Sequence, residues 1–212
     1  MRRLVLLLAL GLVAVMTAPA GPAAASWPAH LDCARSGSTR VATKQARVFQ
    51  RKSVVYACLR ATGRVFVLGG EDNVGSSSGG DITGPVRLKG ELVGYAVTSG
   101  AQGTHFYSVA VRNLRTGRFL HRFTAVPSAY YSVGVGDLAL TRGGSLAWTA
   151  DLIVCTSQGC DTPYTTYVLK DDANGVSIVD AAPLFRIRHL EATGETVRWT
   201  HGGAPRELAL VP

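Results

Sequence analysis

Arg87-Leu-Lys-Gly-Glu-Leu-Val-Gly-Tyr-Ala-Val97 and Leu140-Thr-Arg-Gly-Gly-Ser-Leu-Ala-Trp-Thr149 decide the fold, because they state one theme twice. Each has an apolar strand end, a tight turn of glycine and basic residues, and a second strand carrying a single large aromatic. The theme returns in Leu190 to Thr200 around Trp199 and in Arg51 to Leu59 around Tyr56. The four aromatics Tyr56, Tyr95, Trp148 and Trp199 are separated by 39, 53 and 51 residues. Self-similarity at a period of roughly 40 to 50 residues is a mark of propeller and solenoid architectures.

Around these stretches the periodicity is that of strands, with Val, Ile, Tyr, Phe and Thr bounded by Gly, Asn, Asp and Ser, and almost no helical pattern. The first unit reads as strands at Arg47–Gln50, Ser53–Leu59 and Arg64–Leu68, followed by a polar glycine-rich insertion to Pro85. The second reads as Val86–Leu88, Leu92–Thr98, Phe106–Asn113 and Phe119–Phe123. The third has Asp137–Leu140, Leu146–Val154, Tyr164–Leu169 and Val176–Val179, with a turn over Asp171–Gly175. The fourth is shorter, with Phe185–Leu190, Thr196–Thr200 and Glu207–Val211. The expected fold is all-β, a propeller-like array of about four antiparallel β-meander repeats. The aromatics are expected at one strand phase, each ring packed between neighbouring sheets. A β-sandwich is the alternative.

Residues 1–25 read as a secretory leader. Arg2 and Arg3 form the basic start, Leu4 to Met16 an uncharged apolar run, and Ala23-Ala24-Ala25 the small-residue cleavage pattern. The run is short of the roughly 20 residues that a membrane span needs. No polar flank supports a twin-arginine signal, and His30-Leu31-Asp32 before Cys33 does not suit lipidation. Residues 26–212 are then one domain, secreted or held in the cell envelope. The whole chain carries 22 Lys and Arg against 14 Asp and Glu, a net charge of +8; loss of Arg2 and Arg3 leaves +6. Its densest basic cluster, Arg112, Arg115, Arg118 and Arg122, reads as a solvated strand edge that resists aggregation, and no nucleic-acid partner is expected.

Four cysteines in an exported chain read as two disulfides. Three pairings exist; Cys155 with Cys160 closes a hairpin over Thr-Ser-Gln-Gly, which leaves Cys33 with Cys58. A zinc site is the rival reading; His30 stands three residues before Cys33, but no histidine lies near Cys155 and Cys160, and an exported compartment favours disulfides.

Other motifs carry little chemistry. Gly75-Ser-Ser-Ser-Gly79 has the letters of a nucleophile elbow around Ser77, without the strand-to-helix context that chemistry requires. Lys170-Asp171-Asp172-Ala173-Asn174-Gly175 puts lysine where a calcium loop needs its first oxygen ligand, and Asn174-Gly175 reads as a hairpin turn. Glu71, Asp72 and Asp81 read as a solvated loop. The histidines at 30, 105, 121, 189 and 201 have no ligand spacing or nucleophile beside them, and the acids sit mostly in turns.

Leu88 to Tyr95, Thr141 to Trp148 and Val109-Ala-Val-Arg-Asn-Leu-Arg-Thr-Gly117 resemble the second-strand opening, and the third strand and hairpin turn, of bacterial TolB-type and related β-propeller repeats. The resemblance spans most of residues 46–210 and implies a scaffold, which hosts enzymes and binding modules alike.

The resulting functional expectation is an exported binding module, with no catalytic residue, no cofactor and no metal. Its partner would be a protein or another extracellular ligand, met by the Gly70–Pro85 loop and by Tyr130 and Tyr131. Two alternatives stand beside it: an enzyme on an extracellular polymer, with acids converging from different blades, and a half propeller completed by homodimerisation.

Overall fold

The computed structural model describes residues 31–70, 80–82, 84–99, 106–126, 131–153, 155–156, 159–160 and 164–212. The leader, the Gly75–Gly79 stretch with Glu71 and Asp72, His30, His105 and Tyr130 lie outside these residues. The described chain is all β, and it forms a propeller-like array of antiparallel sheets. No described helix is long and apolar enough to cross a membrane.

The first sheet is a meander of β1 (Ser38–Ala42), β2 (Ala46–Arg51), β3 (Val54–Leu59) and β4 (Val65–Gly69). The second repeats the order with β5 (Val86–Lys89), β6 (Leu92–Ser99), β7 (Phe106–Asn113) and β8 (Phe119–Thr124). The third consists of β9 (Tyr131–Leu140), β10 (Leu146–Ile153), β13 (Thr165–Asp172) and β14 (Gly175–Pro183). A small hairpin, β11 (Cys155–Thr156) and β12 (Gly159–Cys160), interrupts it. The fourth has three strands, β15 (Ile187–Thr193), β16 (Thr196–His201) and β17 (Ala204–Ala209).

The sheets stack in sequence order, and a separate apolar core fills each gap. Val55, Ala57 and Leu59 of the first sheet meet Val93, Tyr95 and Val97 of the second. Ala96, Val109 and Val111 meet Leu138, Leu146, Trp148 and Leu169 of the third. Ala139, Ala147 and Val168 meet Ile187, Leu190, Val197 and Trp199 of the fourth. The middle sheets are covered on both faces, which explains why β6 and β10 are buried almost continuously instead of alternating. Gly94 permits close packing of the second sheet on the third, since a methyl there would lie 3.2 Å from Leu138 and 3.3 Å from Leu146.

The repeated aromatics share one phase, facing the preceding sheet. Tyr95, Trp148 and Trp199 are buried in the three gaps. Two also tie back by their indole N–H, Trp148 Nε1 donating to Ala125 O at 2.7 Å and Trp199 Nε1 to Asp180 Oδ2 at 2.6 Å. Tyr56 departs from expectation because no sheet precedes its own. It stacks on Phe49 at 5.3 Å and is half-buried beside Leu31 and Cys33.

That outer face of the first sheet is covered by the segment leading into β1. A Cys33–Cys58 disulfide pins the segment. Arg47, buried over the Phe49 ring, donates to Cys33 O and Gly37 O at 2.9 Å and to Thr39 Oγ1 at 2.8 Å. At the other end of the array the outer face of the fourth sheet is polar, crossed by the row Glu191, Arg198, Glu207 on neighbouring strands. Covered or polar terminal faces are what a linear stack needs to stay soluble.

The basic cluster corrects the expectation of a purely solvated edge. Arg115, Arg118 and Arg122 are exposed, but Arg112 reaches across to the first sheet. Its guanidinium donates to Val67 O at 2.9 Å and Gly117 O at 2.8 Å and lies 4.7 Å from the Phe66 ring centre. Burial holds its pKa below the usual arginine value. Asp171 and Asp172 also differ from expectation: both are buried in β13, and the turn is Ala173-Asn174. Asp172 accepts from Lys170 Nζ at 2.6 Å, from the Asn174 amide at 2.9 Å and from the Val211 amide at 3.2 Å, which docks the chain after β17 onto the third sheet.

Candidate functional site

Because every sheet is a meander, its turns alternate between two ends of the array. The ends coincide from sheet to sheet: Arg64 donates to Arg115 O, and the Gly143 amide to Glu195, between turns at one end. No connection at that end exceeds five residues. All the longer ones, after β4, β6, β8 and β10, fall at the opposite end. Three of the four exposed aromatics among the described residues lie there too, Phe106 at 57%, Tyr164 at 37% and Phe185 at 68%; Phe119, at 38%, lies at the other end. Tyr131 opens β9 at this end, paired in register with Ile153. Cys155 and Cys160 face each other in register across the β11–β12 hairpin, also at this end.

The start of the fourth sheet adds a local irregularity. Arg188 pairs with Thr200 and Glu191 with Arg198, so His189 and Leu190 together oppose Trp199 in a β-bulge. His189 takes φ 59°, and Phe185 takes φ 66°. Among the described residues only Lys52 joins them as a non-glycine with positive φ. The bulge leaves Arg188 and His189 both exposed while Ile187 and Leu190 remain in the core. Phe185 is fixed from both sides, since its carbonyl accepts from Arg188 Nε at 3.0 Å and the neighbouring Leu184 amide donates to Tyr164 O. Strained backbone of this kind persists only where surroundings enforce it, and it concentrates at functional positions.

Three clefts of about 400, 510 and 500 Å³ share His189 in their walls. The first lies between the opening strands of sheets two, three and four, where Lys89 Nζ reaches Ala192 O at 3.4 Å and Arg87 pairs with Asp137 at 2.6 Å. The second, at the long-connection end, is walled by Phe185, Arg186, Arg188, His189 and Thr200 over Gly202 and Gly203. The third opens on the outer face of the fourth sheet along Glu191, Arg198 and Glu207.

Two histidine–carboxylate pairs, not expected from spacing, lie between strands. His201 Nδ1 stands 2.9 and 3.0 Å from the two oxygens of Asp180. Burial alone would raise the Asp180 pKa, but hydrogen bonds from Trp199, His201 and the Ala181 amide hold it below the usual aspartate range. The carboxylate therefore stays charged and orients both rings. His121 Nδ1 lies 2.8 Å from Asp171 Oδ2 without the alignment of a hydrogen bond. There burial wins and pushes the Asp171 carboxyl up, with His121 opposing it. The hydroxyl of Thr200, next in sequence to His201, donates to Arg188 O at 3.2 Å. No group of three or more His, Cys, Asp or Glu side chains suited to a metal occurs among the described residues.

No family model matches the chain, and no curated protein matches it. Among solved structures it is similar to hydrazine synthase of Kuenenia stuttgartiensis, with 13% identity and a TM-score of 0.41 over 73% of this chain and 46% of that one. It is also similar to an acylaminoacyl peptidase of Pyrococcus horikoshii, with 8% identity and a TM-score of 0.28 over 77% of this chain and 36% of that one. The chain thus spans less than half the length of either. The class is set by the sheets themselves, an all-β propeller-like array.

Proposed function

We propose that residues 26–212 form an exported interaction module of TolB-type repeat character, which meets its partner with the end carrying the long connections. The observation that carries this reading is segregation: every connection longer than five residues, and three of the four exposed rings among the described residues, Phe106, Tyr164 and Phe185, share one end of the scaffold. Loops held by such a frame are the usual place for contacts. The basic start, apolar run and Ala23–Ala25 support export, as does the Cys33–Cys58 disulfide. A second disulfide between Cys155 and Cys160 would brace the β11–β12 hairpin within the same end.

The enzymatic alternative finds its best footing at Glu191 and Glu207, which share one cleft. That cleft is an open surface with Arg198 between the two acids, hydrogen-bonded to Glu207 at 3.1 Å. Such a row reads as the solvated face of a terminal sheet.

A photo-crosslinking amino acid placed at Phe106 or Tyr164 in the secreting host should yield discrete adducts, whereas one at Phe119, at the opposite end, should not. Equal labelling from all three positions, or none from the first two, would rule the reading out. The exported protein should begin at Ser26 by intact mass.

A further inference from the structure

The 510 Å³ cleft at the start of the fourth sheet differs from its two neighbours in charge. Both neighbouring clefts include Glu191, while this one has Arg186, Arg188 and His189 in its wall and no carboxylate at all. Three other exposed arginines of the described chain are matched with acids, Arg87 with Asp137, Arg115 with Glu91 and Arg198 with Glu207. In this cleft the Arg186 side chain has no partner among the described residues, and Arg188 uses only Nε, on Phe185 O. Asp180, on the adjoining β14, is engaged by Trp199, His201 and the Ala181 amide. Two guanidiniums in the wall of one cleft, without a counter-charge there, suit a planar anion.

The strained backbone produces this arrangement. Without the bulge, His189 would fall on the alternate face; with it, Arg188 and His189 both reach the cleft. The left-handed turn at Phe185 leaves its ring 68% exposed beside the arginines. Gly202 and Gly203 keep the floor free of side chains, with nothing near where a Cβ would stand.

We propose that this cleft binds an acidic saccharide. The carboxylate or sulfate sits between Arg186 and Arg188, and the sugar ring lies on the open face of Phe185 above Gly202 and Gly203. The assignment rests on the exported-module reading for its choice of a glycan over other anions. It adds to that reading a site and a ligand class.

The test is calorimetric titration of the secreted protein with a sulfated heparin-derived hexasaccharide, a hexagalacturonate, neutral cellohexaose and the oligonucleotide dT10. At least one acidic oligosaccharide should bind, more weakly as salt rises, and cellohexaose should not. The double variant Arg186→Ala/Arg188→Ala should lose tenfold or more in affinity, and Phe185→Ser should lose several-fold, each at unchanged melting temperature. Arg142→Ala, which removes an exposed charge outside the cleft, should bind like the wild type. Binding by neither acidic sugar, equal losses in Arg142→Ala, or dT10 binding as tightly with the same arginine dependence would each overturn the assignment. If the arginine variants bind sugar normally while crosslinks still form from Phe106 and Tyr164, the cleft assignment fails and the module reading survives.

Discussion

His189 occupies a conformation that costs an L-residue about 1–2 kcal/mol, and no hydrogen bond of its side chain offsets it among the described residues. Glycine takes that conformation freely but loses more entropy on folding. His189→Gly should therefore raise stability by about 0.5–1 kcal/mol in chemical denaturation; a loss would mean that the ring contributes more than the backbone strain removes. Asp180 has the opposite balance. Its folded pKa lies below the ordinary 3.8, so its contribution is complete above that value and is lost as pH falls through the lowered one. Asp180→Asn should cost about 1–3 kcal/mol at neutral pH, and the variant's stability should fall less steeply than the wild type's below pH 3.8. Asp171 has the reverse sign, because its folded pKa is raised and the native state holds its proton longer. Stability from that group is present at low pH and fades as pH rises from 3.8 through the raised value, so Asp171→Asn should gain on the wild type over the same interval.

Strands carry the aromatics, and an element buried on two faces tolerates truncation poorly. Trp148→Ala should cost about 3–5 kcal/mol, since it empties the second gap and strands Ala125 O. Tyr56→Ala, on a face covered by only a short segment, should cost no more than about 2 kcal/mol. Equal losses in thermal or urea unfolding would contradict the difference in their surroundings. The strands around these rings were legible because Lys89-Gly90, Arg115 to Gly117 and Gly143-Gly144 punctuate runs of apolar residues, and β5 to β8 fall within a residue or two of the expected bounds. By contrast, β1 left no signal: Ser-Thr-Arg-Val-Ala has one large apolar residue, is mostly exposed, and is held by its pairing with β2. The bulge at His189 was equally silent, since one extra residue in a strand leaves no mark in composition. Exposed rings at Phe106 and Phe185 look in sequence like ordinary strand aromatics, whereas the Gly70–Pro85 loop, Tyr130 and Tyr131 read as contacts because glycine and small residues surround them. Asp171 and Asp172 looked like turn residues because Asp-Asp before Ala-Asn-Gly is polar, and their burial depends on partners from β8 and the chain after β17.

Across the whole molecule, each core joins only successive sheets, and no buried cluster among the described residues joins the fourth sheet to the first. Stability in such a stack is close to a sum over neighbours. The Cys33–Cys58 link closes a loop of 25 residues, and removing it as Cys33→Ser/Cys58→Ser should cost about 3 kcal/mol. Hydrogen exchange should show that loss in β1 to β4 while amides of β15 to β17 keep their protection. A uniform loss across all four sheets would mean that the array unfolds as one unit.

The same cross-link also redirects force. Tension applied ahead of Cys33, by a motor or a translocating pore, passes through the sulfur bridge into Cys58 and never along β1 or β2. It is delivered to β3, a strand hydrogen-bonded on both sides by β2 and β4. A pulled strand in that position must break two ladders at once, whereas a terminal strand would unzip from one. Oxidation at this single pair therefore sets the mechanical resistance of the chain at its leading end, and a reduced molecule would be extracted strand by strand starting from β1.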